Sequence, residues 1–96
     1  MAVIDDVKAA LGVVGDHADA ALTVHVQAVT DYLRGAGVAD TAIQDGKATG
    51  AIVRGVADLW NAGSGDVSFS PVFYDMAIQL AVTYPEGAAN NGATLS

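Results

Sequence analysis

The residues able to do chemistry in this chain are few. His17 and His25 are the only side chains that ordinarily titrate near neutrality, and so the natural bases to activate a serine or threonine. His17 falls in the first turn of an expected helix, and His25 lies two turns further on among Val24, Val26 and Val29. That setting reads as one exposed and one half-buried histidine, not as a base beside a nucleophile. Asp16, His17 and Asp19 are close enough to suggest a metal site, but both aspartates are better used at a helix start, where carboxylates accept from free backbone N–H groups. Asp5-Asp6 is a charge pair of the same kind, and no calcium-loop spacing surrounds Asp40, Asp45 or Asp66. Gly46-Lys47 is a fragment of a phosphate loop. The full motif needs glycine five residues before Gly46 and a hydroxyl after the lysine, and those places hold Thr41 and Ala48. With no cysteine, thiolate ligands and disulfides are excluded. The expectation is a chain that is not an enzyme and has no cofactor and no metal.

Composition narrows the classes further. At 96 residues the chain is one domain's worth, and with no disulfide its core must come from packing alone or from packing supplemented by partner subunits. Apolar residues make up 52% and charged residues 16%, so there are few charges with which to solvate the surface of a small monomer. The excess is largely Ala, Val and Gly. It fits either a plain alanine-rich helical protein or one whose surface is partly covered by other copies. Net charge is −7, and the four basic residues, Lys8, Arg34, Lys47 and Arg54, are scattered. No basic patch exists to neutralise phosphates, so sequence-specific nucleic-acid binding and docking to an anionic membrane are not expected. An acidic wall can still serve near DNA, because it repels phosphates and lets a duplex pass without sticking. The opening Met1-Ala2-Val3-Ile4-Asp5-Asp6 lacks the basic start and apolar stretch of a secretory signal, and no apolar run spans a bilayer. The expected location is the cytoplasm.

The elements are helices. The first is expected from about Asp5, as cap, to Val14, with Val7, Leu11 and Val14 on one face. The second runs from about Asp16, as N-cap, to Arg34, with Leu22, His25, Val29, Tyr32 and Leu33 as its main stripe and Val24, Val26 and Ala28 widening it. It ends at Arg34-Gly35-Ala36-Gly37, a cation followed by glycines. The third runs from Asp40 or Thr41 to Asn61 with the stripe Ile43, Ile52, Val56, Leu59 and Trp60. Gly46, Gly50 and Gly55 interrupt it, each costing up to about 1 kcal/mol against alanine. An irregular start with a break near Gly46 is favoured over close helix contact at these glycines. Ser70 then Pro71 is a strong start for the fourth helix, which carries Val72, Phe73, Met76, Ala77, Leu80 and Tyr84 at the helical period until Pro85 stops it. The fold class is therefore all-α: a small four-helix bundle with a flexible loop between helices 3 and 4. Residues 1–84 form the helical domain, and 85–96, rich in Gly, Asn and Ala, form a flexible, disordered C-terminal tail.

The loop and tail are the candidate contact elements: Asp66, Val67, Ser68, Phe69 and Ser70, with Pro85 and Glu86. Val67 and Phe69 alternate with polar neighbours and could point one way along an extended arm. The competing reading folds Phe69 back onto its own bundle near Phe73, and is slightly favoured for that residue.

This layout resembles the small head–tail connector (adaptor, or head-completion) proteins of long-tailed bacteriophages. The resemblance covers about Val3 to Tyr84. It rests on the short first helix with Val7-Lys8-Ala9-Ala10-Leu11, the long second helix from Asp16, and the third ending Val56-Ala57-Asp58-Leu59-Trp60. A Gly/Ser loop follows, and Ser70-Pro71 opens a last helix closing on Val82-Thr83-Tyr84. Family members often follow the final tyrosine with a polar, arginine-containing stretch, whereas Pro85-Glu86-Gly87 follows here. The resemblance implies a structural subunit of the virion neck, assembled in the host cytoplasm. Its copies form a ring homo-oligomer, expected to be a dodecamer, beneath the portal protein. The ring extends the DNA channel and receives the next neck or tail-completion protein. DNA is passing, non-specific cargo, and no membrane is involved. Two other readings stand beside it: a small acidic helical regulatory module, antitoxin- or inhibitor-like, that blocks a basic partner, and a carrier with a small-molecule pocket near His25 and Trp60.

Overall fold

The computed structural model describes residues 3–62 and 69–86. Among them are five helices, α1 (Val3–Leu11), α2 (Asp19–Gly35), α3 (Asp40–Gln44), α4 (Thr49–Ala62) and α5 (Pro71–Thr83), and no strand. The architecture is all-α, with five helices where four were expected. The extra one comes from the third apolar stripe, which is broken into α3 and α4. Gly46 sits at the break with φ +82°, a left-handed conformation that L side chains rarely adopt, and Thr49 Oγ1 donates back to the Gly46 carbonyl at 3.1 Å as α4 begins. Lys47 is exposed in this turn.

Two helix starts differ from the expectation. Helix α1 begins at Val3, so Asp5 and Asp6 lie within its first turn, where they complement the helix dipole, and it ends at Leu11 instead of Val14. Helix α2 begins at Asp19, and Asp16 is not its cap. Asp16 sits in the preceding turn, its carbonyl accepting from Asp19 N at 3.1 Å, and the N-cap position is Ala18, with no side-chain cap. Asp19 is engaged by Lys8, whose Nζ lies 2.7 Å from Oδ1. A contact between residues so far apart in sequence is not visible in local pattern. It joins α1 to the start of α2.

Helix α4 is the centre of the packing, with α1, α2 and α5 against it. Val7, Leu22, Val29, Leu33, Val38, Val56 and Phe73 are fully buried, with small Ala48, Ala51 and Ala77 between them. Gly55 is the closest approach. A Cβ there would lie 2.8 Å from both Phe73 Cε1 and Val29 Cγ1, so only glycine lets α2 and α5 meet α4 at this level. Both earlier readings of the glycines therefore hold, at different positions: irregularity at Gly46, close contact at Gly55. Arg34 Nε donates to Asp40 at 2.8 Å and links the end of α2 to α3. After α5, Glu86 N donates to the Gly37 carbonyl at 2.6 Å and Ala39 N to the Tyr84 carbonyl at 2.8 Å, and Val38 bridges Pro85. Pro85 and Glu86, assigned to the tail from sequence, are thus held on the α2–α3 connection. Residues 87–96 lie outside the described residues. The radius of gyration is 14.2 Å, above the about 12 Å of a compact chain of this size, and the extents of 48 × 29 × 16 Å make a plate about two helices deep.

Candidate interaction surface

The start of α5 is built by side chains from two helices. Ser70 Oγ accepts from Phe73 N at 3.3 Å, the cap that Ser70-Pro71 foretells. Asp58 on α4 then accepts from both Ser70 N and Ser70 Oγ at 2.9 Å through Oδ2. Its Oδ1 accepts from Arg54 Nη2 at 2.6 Å. The Asp58 side chain is only 7% exposed. Burial pushes its pKa up, but the hydrogen bonds from Arg54 and Ser70 outweigh that, and the carboxyl is held below its ordinary value. Asp58 therefore fastens the end of α4 to the start of α5. Of the candidate loop residues, Asp66, Val67 and Ser68 lie outside the described residues. Ser70 serves as cap and Asp58 partner.

Phe69 folds back onto its own bundle. Its ring centroid is 4.2 Å from that of Phe73 and 5.3 Å from that of Tyr32, and Tyr74 closes the cluster at 6.1 Å. The side chain is half-buried, so its free edge remains at the surface. Pro85 and Glu86 are exposed, although their backbone is anchored. His17 is exposed and His25 half-buried, as expected. The rings of His25 and Trp60 meet edge to face at 6.3 Å. A groove of about 430 Å³ lies between α4 and α5, floored by Gly50, Ala51, Met76 and Leu80, with Lys47, Asp75 and Gln79 at its rim.

The feature that sequence reading missed is the outer side of α5. Phe73 and Ala77 face the core. On the far side Val72, Ile78 and Val82 are 55%, 63% and 72% exposed. Asp75 is the only ionisable side chain in the helix besides Tyr74. Large aliphatic side chains are ordinarily buried, yet these three stand outward on α5 beside Asp75 and Gln79. The signal was present in sequence, since Ile78 and Val82 belong to no inward stripe once Phe73 and Ala77 set the register. Among the described residues, three of the four cations are held in pairs within the chain: Lys8 with Asp19, Arg34 with Asp31 and Asp40, and Arg54 with Asp58. No group of three or more His, Cys, Asp or Glu among the described residues could hold a metal ion, and no described helix is long and apolar enough to cross a membrane. Comparison with protein-family models, curated proteins and solved structures finds no match to this chain.

Proposed function

We propose that this chain is a structural subunit of a bacteriophage neck ring, joining the portal and capsid vertex to the tail and extending the DNA channel. The observation that carries the reading is the uncovered apolar side of α5: a small domain that leaves Val72, Ile78 and Val82 outward is built to be covered by another protein. The net charge of −7, with three of the four cations paired within the described residues, suits a wall past which a duplex slides. The proposed assembly is a homo-oligomeric ring, a dodecamer by family resemblance, seated on a portal protein and receiving the next neck protein.

The same acidic surface favours a second reading, a regulatory module that masks a basic partner. The two differ in what covers the chain. A ring subunit associates with itself or with a portal ring of fixed symmetry, whereas a regulatory module forms a complex of low fixed stoichiometry weakened by salt. Native mass spectrometry with and without purified portal protein separates them. A discrete oligomer, or a fixed multiple of copies on the portal, supports the ring. Failure of the chain to join either itself or a portal refutes it.

A further inference from the structure

We infer that α5 opens separately from the rest of the fold: it leaves α4 as one unit, with the contact between Asp58 and Ser70 as its latch, while α1, α2 and α4 keep their packing. This opening is a property of the single chain and is independent of the ring reading.

Helix α5 has a thin hold on the core. Of its 13 residues only Phe73 and Ala77 are buried, whereas α2 buries Leu22, Val29, Thr30 and Leu33 and α4 buries Ala51, Ile52, Gly55 and Val56. In α1 the residues flanking Val7 are half-buried, and that helix packs on both α2 and α4. Helix α5 packs chiefly on α4, and most of its residues are exposed. Val72, Ile78 and Val82 already stand in water in the closed chain, so they lose little when α5 moves away. The resistance of an element to local opening follows the apolar surface it buries and the neighbours that hold it.

The joint between α5 and α4 is uneven along its length. Near its start Phe73 fills the notch at Gly55, beside Val29, and this contact keeps α5 closed in the ground state. Further along, the two helices part, and the groove of about 430 Å³ opens between Gly50 and Ala51 on one side and Met76 and Leu80 on the other. Side chains facing such a gap forgo the contacts of a packed core. Much of the remaining hold is polar and lies at the two ends. At the start Asp58 accepts from Ser70 N and Oγ at 2.9 Å. At the finish Ala39 N donates to the Tyr84 carbonyl at 2.8 Å and Glu86 N to the Gly37 carbonyl at 2.6 Å. Groups that part here bond to water instead, so the net hold of each backbone bond is small, and the bonds to the charged Asp58 carboxylate hold more. Opening frees Phe73 and Ala77 and uncovers the Gly55 notch of α4 with Val29 and Val56, apolar surface that the closed chain does not present.

Native-state hydrogen exchange, followed by NMR on dilute protein at neutral pH in rising urea, tests this. Without urea, the backbone N–H groups of Ala77 and Ile78 should exchange at least about tenfold faster than those of Val56 and Leu59. They should depend less on urea and converge with the α4 pair as urea rises. Two variants identify the open form. Val7→Ala weakens a contact of α1 that the open form keeps and the unfolded chain loses. It should speed exchange of Val56 and Leu59 by about tenfold or more and leave Ala77 and Ile78 unchanged. Asp58→Ala removes the latch, which is broken in the open form and in the unfolded chain, so it should speed both pairs by the same factor, about tenfold or more. Equal rates and equal urea dependence for the two pairs in the wild-type protein would overturn the inference, even should Val7→Ala fail to fold. Acceleration of all four groups alike by Val7→Ala would overturn it too. Acceleration of Val56 and Leu59 alone by Asp58→Ala would show that the latch stays closed when α5 opens, and would overturn the role of Asp58.

Discussion

Replacing Gly55 by alanine and, separately, Gly50 by alanine should shift stability in opposite directions, although both glycines lie in α4. In a helix interior alanine is favoured over glycine by about 0.8–1 kcal/mol. At Gly50 that gain is free, because a Cβ would lie an ordinary 3.6 Å from the flexible end of Met76. Gly50 is near the helix start, so the expected stabilisation is about 0.5 kcal/mol. At Gly55 the Cβ would lie 2.8 Å from Phe73 Cε1, 2.8 Å from Val29 Cγ1 and 2.9 Å from Val29 Cγ2. Val29 is β-branched and stiff at χ1, and both neighbours are fully buried, so neither can swing aside into solvent. Overpacking costs about 1–3 kcal/mol, and three contacts this short argue for the upper part of that range. The net expectation for Gly55→Ala is a loss of about 1–2 kcal/mol after the helical gain. Each kcal/mol moves the Tm of a domain this small by about 4–8 °C. Thermal unfolding followed by circular dichroism at low concentration, with Trp60 fluorescence as second probe, reads both changes. A Gly55→Ala protein as stable as Gly50→Ala would refute the claim that α2, α4 and α5 meet through the missing side chain.

Other outcomes follow from the same structure. Asp58→Ala should cost about 1.5–3 kcal/mol in urea unfolding, since it removes charged hydrogen bonds and leaves Ser70 without its partner. Because folding lowers the Asp58 pKa, its ionisation stabilises the native state above the unfolded value of about 3.9, and that part is lost as pH falls through the lower folded value. The stability difference between the wild type and Asp58→Asn should therefore be constant near neutrality and shrink in acid, and a difference independent of pH would contradict this. Ser70→Ala should lower stability by about 0.5–2 kcal/mol through loss of the α5 cap. Ile78→Asp places a charge on the uncovered side of α5. It should leave the Tm of the monomer within a few degrees while abolishing assembly, and loss of helicity instead would show that Ile78 belongs to the fold. Removing Asp66–Ser68 tests the loop without touching Ser70, and should impair assembly on the portal at unchanged helicity.

Sequence pattern revealed those parts of the fold that depend on near neighbours. Ser70-Pro71 marks a helix start because a hydroxyl cap and a fixed φ act locally, and the structure has both there. The break near Gly46 was legible for the same reason, as was the return of Phe69 to Phe73 four residues on. The starts of α1 and α2 were misplaced by a few residues. Asp5 and Asp16 look like caps in isolation, yet the chain enters α1 earlier and Asp19 is drawn to Lys8. Whether Gly55 meant a weak helix or a tight contact depended on Val29 and Phe73, which no window around Gly55 contains. The i,i+4 spacing of Arg54 and Asp58 on α4 is legible in sequence, but the role of Asp58 is not, because its other partner, Ser70, belongs to the start of α5 across the loop. The outer apolarity of α5 needed only the register of one helix.

The central claim is that this domain is made to be covered by copies of itself. Native mass measured against protein concentration at moderate salt tests it most directly. The expected result is a single discrete mass for a closed oligomer that appears cooperatively with concentration and is absent for Ile78→Asp. A monomer at every concentration, in the presence of a portal ring as in its absence, would contradict it.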